Sequence, residues 1–354
     1  MSGAWEWPAE RVRAHVEAAV PELGPRGAPE RLTGGLLNVV WRVPSALDDQ
    51  PVIAKIAPPF VAALPDVPLS QARQSIEAAA LAAFDGGPLT GVASAAVRPP
   101  RVLHHDPGAF VLVMEDVGDL PHLGDALGEL GDVRRVGETL GRFIGRLHAA
   151  TLGAAVLARF DNAEAQRTRL NVQYRSVGDT LRQVGVPDAE ALGAEAVALG
   201  ERLLEPGRCL IQGDLWPPSI LVRRDGALRL IDWELAHAGV PAQDLGHLLA
   251  HLWMIAHRQL GVAAAAQACT EAFLSGYAEG AGTGLPALLA DGTREDAARH
   301  AGCEVLVRTI GPFRNGSLYD GAEVGSRSLR EAVAFATGTL RQPARSLFGE
   351  GLSL

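Results

Sequence analysis

A short β segment with acidic ends interrupts the mostly helical second half of this chain. Residues 209–211, 220–222 and 228–231 are short apolar runs, which predict buried strands. The polar loop 212–219 follows the first run, and Asp232-Trp233-Glu234 follows the last. A carboxylate that loses its hydration at the end of a buried strand needs a partner. The fold must therefore bring partners close to these carboxylates.

Three carboxylates and one hydroxyl are expected to converge there. Asp214 follows one predicted strand, Asp232 and Glu234 follow another, and Ser219 ends the loop that contains Asp214. If these groups meet at one edge of a small sheet, they offer only oxygen ligands, which suit Mg²⁺. Any one of these Asp residues could simply belong to a turn or cap a helix. This alternative explains two acidic loops in one short segment less well.

The chain before Gly118 is rich in strand patterns, whereas the chain after it is mostly helical. Alternation and β-branched residues predict a hairpin, a helix and further strands in the first part. These elements are a hairpin over 31–43, a strand over 51–56, a helix over 69–84, and strands over 96–103 and 109–114. We therefore expect an α+β fold with two lobes. The N-terminal lobe, 1–115, has a small antiparallel sheet, and the C-terminal lobe, 116–354, is larger and mainly helical.

Composition argues against several classes of function. The 354 residues are 47% hydrophobic, enough for a large core or two lobes. A formal net charge of −9 disfavours nucleic-acid binding, and no apolar run is long enough to span a membrane. Cys209, Cys269 and Cys303 fit neither a disulfide framework nor a metal motif. Since the N-terminus has no signal-peptide pattern, we expect a cytoplasmic protein.

Lys55 is the single lysine among 32 basic residues, the rest being arginine. A bias toward arginine codons accounts for the arginines but not for the single lysine. Lysine is a compact point charge on a flexible stem, whereas arginine is a wide planar fork. A position that keeps lysine in such a chain suggests a site where arginine does not fit.

The neighbours of Lys55 in the sequence suit a phosphate site. The Gly34-Gly35 turn can bring backbone N–H groups close to phosphate oxygens. Lys55 on the next strand can contact nucleotide phosphates, and Glu77 on the following helix can hold it by an ion pair. Taken alone, the glycines are typical of a hairpin turn and Glu77 of a solvated helix face.

The full order of parts is that of phosphoryl transfer in protein kinases. In that template a loop Asp orients the attacking hydroxyl, a residue five positions later binds metal, and a strand-end Asp holds Mg²⁺. Here these positions are Asp214, Ser219 and Asp232. The combined order and spacing are much more specific than any single part.

These motifs resemble the aminoglycoside phosphotransferase and choline kinase-like superfamily, which has a bilobal protein-kinase-like fold. Residues 210–252 carry most of the likeness. Within the superfamily the motifs look closest to 5-methylthioribose kinase, which also has Ser at the position of Ser219 and an Asp-x-Glu motif like Asp232 and Glu234. Departures from the pattern include Gln212 where the superfamily usually has His, and Arg308 as one arginine where the family has two.

The resemblance implies a kinase that uses ATP and Mg²⁺ to phosphorylate a hydroxyl of a small polar molecule, with a methylthioribose-like sugar favoured. Asp214 would orient the substrate hydroxyl. The residues implied to bind ATP are Gly34, Gly35, Asn38, Lys55, Glu77, Glu115 and Val117. Those implied to bind the metal are Ser219, Asp232 and Glu234, and those implied to contact the substrate are Trp216 and Arg308. The expected partner is this small molecule, with the protein a monomer or homodimer.

Other acceptors and a non-enzymatic role stay open on the sequence. An aminoglycoside or other antibiotic would suit the acidic balance and four acids of the helical lobe, which are Asp161, Asp179, Asp188 and Glu190. Choline would need an aromatic cage, for which the candidates are Trp216, Trp233, Trp253 and Tyr277. Gln212 and Ser219 also allow a pseudokinase that acts as an interaction module, although the presence of Lys55, Asp214 and Asp232 argues against it.

Overall fold

Alternating apolar residues in the N-terminal part build an antiparallel sheet. The computed structural model describes residues 6–33, 35–46 and 50–343. In these residues the sheet has the strand order β1-β2-β3-β8-β7. Its strands are β1 (Glu30–Leu32), β2 (Val39–Val43), β3 (Val52–Ile56), β7 (Val102–Asp106) and β8 (Val111–Glu115). A further small hairpin, β4 (Phe60–Val61) and β5 (Leu64–Pro68), follows β3.

Both faces of this sheet are covered by a helix. Helix α1 (Ala9–Ala19) places Val12 and Val16 against apolar residues of β2 and β3. Helix α2 (Arg73–Phe84) packs on the other side, against β7 and β8, with Ile76 and Leu81 in the larger core. Lys55 on β3 and Glu77 on α2 are thereby brought to the same side of the sheet.

The strand predicted over 96–103 is wrong as a single element. It consists of β6 (Val97–Arg98) and β7, separated by Pro99 and Pro100. Proline has no N–H to give to a ladder and fixes its own φ, so the pair ends one strand before the next begins. The two pieces therefore join different sheets.

The β segment of the second half forms two small sheets, not one. Strands β10 (Ile220–Val222) and β11 (Leu228–Leu230) are antiparallel, and β6 adds to β11 in parallel. Strand β9 (Cys209–Ile211) pairs with β12 (His237–Gly239). Asp214 thus follows a strand of one sheet and Asp232 a strand of the other, and β6 joins the N-terminal part of the chain to the C-terminal part.

Helices make up the rest of the second half. They are α3 (Leu123–Ala126), α4 (Val133–Thr151), α5 (Ala163–Arg169), α6 (Val177–Gln183), α7 (Ala189–Glu201), α8 (Pro241–Arg258), α9 (Ala263–Ala281), α10 (Leu285–Leu288), α11 (Thr293–Thr309) and α12 (Arg327–Arg341). This arrangement confirms the expected α+β fold class. No helix within the described ranges has the length and hydropathy of a membrane span. The lobe boundary between residues 115 and 116 stays a prediction.

Glycines set the distance between α4 and α9. Gly137, Gly141 and Gly145 recur every four residues on α4, which places them on one face. A Cβ built on Gly141 would lie 2.1 Å from the Phe273 carbonyl oxygen and 2.7 Å from the Tyr277 nitrogen of α9. The helix backbones are in direct contact there, so this face accepts no side chain.

We predict that Gly141→Ala lowers the free energy of unfolding by about 1–3 kcal/mol, since the added methyl group forces the two helices apart. Gly338→Ala is the matched control, because Gly338 is also helical but a Cβ added to it would meet no atom within 4 Å. The higher helix propensity of alanine should stabilise this control by up to about 1 kcal/mol. Urea unfolding of both variants measures the difference, and equal effects would contradict the packing argument.

His237 and His247 are two of the five buried histidines in the described part of the C-terminal lobe. His237 in β12 and His247 in α8 are 3% and 1% exposed. Burial lowers the pKa of each to about 4 from an ordinary value of 6.5. Both are therefore neutral in the folded protein near neutral pH.

We predict that the free energy of unfolding falls as the pH drops from about 6.5 to about 4. In this window the unfolded chain binds protons on these histidines and the folded chain does not, so acid favours unfolding. Each histidine contributes a slope of about 1.4 kcal/mol per pH unit. Replacement of one of them, as in His237→Met, should flatten the profile by that amount in urea unfolding at several pH values, whereas parallel profiles would show that His237 is not responsible.

Candidate active site

The two lobes enclose a cavity of about 570 Å³. Its walls come from β3, the segment after β8, the 212–219 loop, the chain after β11, and α5 and α11. Most of the predicted site residues line it, namely Gly35, Asn38, Lys55, Glu77, Glu115, Val117, Asp214, Trp216, Asp232, Glu234 and Arg308. Ser219 is not in this lining, and Gly34 lies outside the described residues.

Lys55 lies where three carboxylates meet. Its Nζ is 2.9 Å from the Glu77 carboxylate and 2.7 Å from Asp232 Oδ1, and it also contacts Glu234 Oε2. Burial opposes the charged form of this side chain, but the three negative charges outweigh it and raise the pKa of Lys55 well above its ordinary value. One ammonium group thus forms ion pairs with three acids, which come from both lobes.

The three acids form an all-oxygen group with excess negative charge. Oxygen atoms of Glu77, Asp232 and Glu234 lie within 4.8 Å of one another. Burial raises the pKa of Glu77 to about 8 and also raises that of Asp232, whereas the charge of Lys55 outweighs burial at Glu234 and lowers its pKa. Even with Glu77 largely protonated near neutral pH, Asp232 and Glu234 outnumber the one ammonium, and this oxygen donor set with its charge fits a hard divalent cation such as Mg²⁺.

Asn38 links the N-terminal lobe directly to this group. Its Nδ2 donates to Glu234 Oε1 at 2.6 Å, and its Oδ1 accepts from Arg73 at 3.1 Å. Arg73 is fully buried and also donates to the carbonyl oxygens of Leu37, Pro58 and Ser70. Sequence analysis singled out Asn38 but missed Arg73, whose one signal is an arginine on the otherwise apolar face of a predicted helix.

Gln212 holds the 212–219 loop against the chain after β11. Its side-chain nitrogen donates to the Asp232 carbonyl at 2.7 Å, and its Oε1 accepts from the Asp214 N–H at 2.7 Å. Asp232 has a φ of +60°, an unusual conformation for a residue other than glycine. The amide of Gln212 thus has both a donor and an acceptor where the loop needs them, the bridging role expected of the histidine that it replaces.

A buried carboxylate anchors the start of the same loop. Asp244 on α8 accepts the N–H groups of Gln212 and Gly213, each at 2.8 Å, and lies 3.2 Å from His148 Nε2. His148 Nδ1 lies 3.0 Å from the Tyr277 hydroxyl. Burial opposes ionisation of Asp244, but these partners outweigh it and lower its pKa. Asp244 belongs to the stretch that carries the resemblance, and its contacts give it a structural role.

The Ser219 hydroxyl is turned toward its own loop. It donates to the Trp216 carbonyl at 2.8 Å and lies 3.3 Å from the Asp214 carbonyl. Ser219 is 1% exposed and is not among the acids that gather around Lys55. Its hydroxyl therefore holds the loop closed, and a metal-binding role for it stays a prediction.

Asp214 and Trp216 face the part of the cavity beside α5 and α11. Asp214 Oδ1 accepts from Arg169 at 2.8 Å. The guanidinium of Arg308 lies 4.4 Å from the centre of the Trp216 ring, and its Nε donates to Glu304 at 2.8 Å. We call this part the acceptor end. Neither Arg169 nor Glu304 was predicted from the sequence, since Arg169 lies 45 residues before its partner Asp214, and Glu304 also contacts Gln173 and His251, which are 131 and 53 residues away.

Glu115 and Val117 lie where the chain passes between the lobes. The Glu115 side chain accepts from Arg98 at 2.7 and 2.6 Å, and its N–H donates to the Arg101 carbonyl. The carboxylate of Glu115 is thus engaged by arginine. Contacts of Glu115 and Val117 with ATP stay a prediction.

The residues considered for other acceptors lie elsewhere. Trp233 and Tyr277 are fully buried in the core, and Trp253 stacks on Phe335 at 3.9 Å, so these three form no cage with Trp216. None of the four acids of the helical lobe lines the cavity, and Asp179 and Asp188 form ion pairs with Arg182 and Arg341. The three aromatic residues therefore contribute to packing, and the four acids lie outside the cavity.

The sequence matches a family model described as the phosphotransferase enzyme family over residues 29–290. It is similar to the 4-hydroxytryptamine kinase of Psilocybe cyanescens, with 29% identity over 262 residues, or 67% of this chain and 70% of that protein. It is also similar to the methylthioribose kinase of Pectobacterium atrosepticum, with 26% identity over 248 residues, or 63% of this chain and 59% of that protein.

A solved choline kinase from Streptococcus pneumoniae has a similar fold. The TM-score is 0.52 at 14% identity, and the match covers 94% of this chain and 98% of that one. This likeness confirms the expected kinase-like fold. Kinase relatives imply ATP as the phosphoryl donor. The chain belongs to the phosphotransferase enzyme family and is a small-molecule kinase that acts on a hydroxyl group.

Proposed function

We propose that this kinase transfers the γ-phosphate of ATP, with Mg²⁺, to a hydroxyl of a small polar molecule at the acceptor end of the cavity. The observation that carries the proposal is the joint lining of one cavity by the Lys55 group and by Asp214. Phosphoryl transfer depends mainly on positioning and charge neutralisation, which these two features supply.

The resemblance suggests a role for each predicted site residue. Lys55, held by Glu77, would contact the α- and β-phosphates, and Gly34, Gly35 and Asn38 would cover the phosphates. Backbone groups of Glu115 and Val117 would hold the adenine. Asp232 and Glu234 would hold Mg²⁺, which when bound neutralises phosphate charge, with Ser219 as a further expected ligand. Asp214 would accept a hydrogen bond from the substrate hydroxyl and direct its oxygen toward the γ-phosphorus.

A methylthioribose-like sugar is the favoured acceptor. Its support is the Ser219 and Asp232/Glu234 motifs, Arg308 at the acceptor end, and the similarity to methylthioribose kinases. A hydroxyindole is the second candidate, supported by the aromatic wall of Trp216 and Phe313 and by the similarity to a 4-hydroxytryptamine kinase. The four acids of the helical lobe do not support an aminoglycoside acceptor, since none of them lines the cavity.

We predict that Asp214→Asn lowers kcat by about 10²–10⁴-fold, since the amide cannot take over the carboxylate's role toward the hydroxyl. A coupled ADP-release assay with Mg²⁺-ATP and methylthioribose, other pentoses, hydroxyindoles, aminoglycosides, macrolides and choline measures it. Asp225→Asn is the control, because Asp225 lies in the exposed turn between β10 and β11. Turnover of Asp214→Asn at the wild-type rate would exclude the proposed role.

We predict that Lys55→Arg lowers kcat/KM for ATP by about 10²-fold or more although the charge is kept. The planar fork cannot occupy the place of one ammonium among three carboxylates. As a control, the melting temperature of the variant is measured with and without Mg²⁺-ATP. A folded variant with an intact nucleotide site would show a higher melting temperature with the ligand. An arginine variant with wild-type kinetics would overturn the idea that position 55 requires lysine.

A further inference from the structure

One turn of π-helix places two polar side chains of the α5 segment in the acceptor end. Helix α5 continues into a π turn at Leu170–Tyr174, where the Arg175 N–H donates to the Leu170 carbonyl five residues earlier. Such wide turns are rare and often occur at functional sites. Here Arg169, just before the turn, and Gln173 within it both line the cavity.

Arg169 engages one oxygen of Asp214. One arm of its guanidinium donates to Asp214 Oδ1 at 2.8 Å, and the other lies 3.2 Å from His247 Nδ1. The Arg169 side chain is 8% exposed, so it makes these contacts away from bulk water. Asp214 Oδ2 has no partner among the hydrogen bonds of the described residues, which leaves one carboxylate oxygen for a substrate hydroxyl.

Glu304 at the far wall accepts three hydrogen bonds from side chains of the protein. Its Oε2 accepts from Gln173 at 2.6 Å, and its Oε1 accepts from His251 at 2.9 Å and from Arg308 at 2.8 Å. Burial opposes its ionised form, but Arg308 and the histidines outweigh this and lower the pKa of Glu304 well below its ordinary range. It is a charged carboxylate that the protein itself already pairs.

The acceptor end is therefore electrically balanced. Arg169 compensates Asp214, and Arg308 compensates Glu304, while burial lowers the pKa of His247 and of His251 and keeps both rings neutral. The apolar side chains that line the cavity include Trp216, Phe313 and Val172.

We propose that the acceptor is an uncharged hydroxyl compound with an apolar or planar part, and that Arg169 selects it by compensating Asp214 while holding its carboxylate in place. This inference rests on the proposed kinase function and narrows it. Because the free oxygen of Asp214 is needed for the substrate hydroxyl, a cationic amine would have to displace Arg169 from Asp214 or Arg308 from Glu304, and either exchange leaves a largely buried guanidinium without its carboxylate. An uncharged acceptor requires no such exchange. Arg169 is thus a positioning and specificity residue and does not react itself.

The test compares acceptors that differ in charge. The probes are 4-hydroxyindole and 4-hydroxytryptamine, which share the ring and hydroxyl but differ in a cationic aminoethyl chain, together with uncharged methylthioribose. For the wild type we expect kcat/KM to be at least about tenfold higher for an uncharged probe than for the amine. Arg169→Gln should reduce this ratio by about tenfold, because Asp214 is then uncompensated, and should also lower kcat.

Two further variants separate charge from folding. Arg169→Lys keeps the charge but not the fork, so we expect it to keep the selectivity and lose kcat. Arg167→Gln removes an exposed arginine of the same helix and should change neither quantity. Melting temperatures identify any variant that fails to fold, and acceptor binding in the presence of a non-hydrolysable ATP analogue gives the same ratio without turnover.

The outcomes distinguish this inference from the proposed function. A wild type that prefers the amine, that binds neither uncharged probe, or whose selectivity survives Arg169→Gln overturns the inference alone, provided that it binds Mg²⁺-ATP. A wild type that neither binds Mg²⁺-ATP nor releases ADP with any acceptor overturns the proposed function itself.

Discussion

The contact between Lys55 and three carboxylates holds the two lobes in register. Lys55 comes from β3, Glu77 from α2, and Asp232 and Glu234 from the chain after β11. Lys55, Glu77 and Glu234 are buried, and a buried charge that loses its partner is strongly destabilising. The position of α2, the end of β11 and the Asn38 contact to Glu234 therefore all depend on one ammonium group.

Polar side chains hold the 212–219 loop, which contains Asp214, by hydrogen bonds. Asp244 accepts two N–H groups at its start, Gln212 bridges it to the Asp232 carbonyl, and Ser219 closes its end. These bonds satisfy backbone groups that would otherwise be buried without a partner. They also keep Asp232 in a left-handed conformation that few residues other than glycine adopt. The rigid part of the site is thus the backbone, and the acids project from it.

Residues that fit the order of the kinase template were predictable, and residues outside that order were not. The order of Lys55, Glu77, Asp214 and Asp232 predicted the kinase-like fold, which is confirmed, and all four line one cavity. Arg169 and Glu304 gave no such signal, because neither belongs to the template and their contacts with Asp214 and Gln173 span 45 and 131 residues of sequence. The strand predicted over 96–103 was an avoidable error, since the effect of Pro99 and Pro100 on a β ladder follows from the sequence alone.

Strand β6 has a consequence for how the cleft can open. It belongs to the N-terminal stretch of the chain but is paired in parallel with β11 of the other lobe. The backbone therefore crosses between the lobes three times: between α2 and β6, between β6 and β7, and after Glu115. Pro99 and Pro100 restrict backbone rotation at the second crossing. Any opening of the cleft must therefore bend all three connecting segments together or break the pairing between β6 and β11.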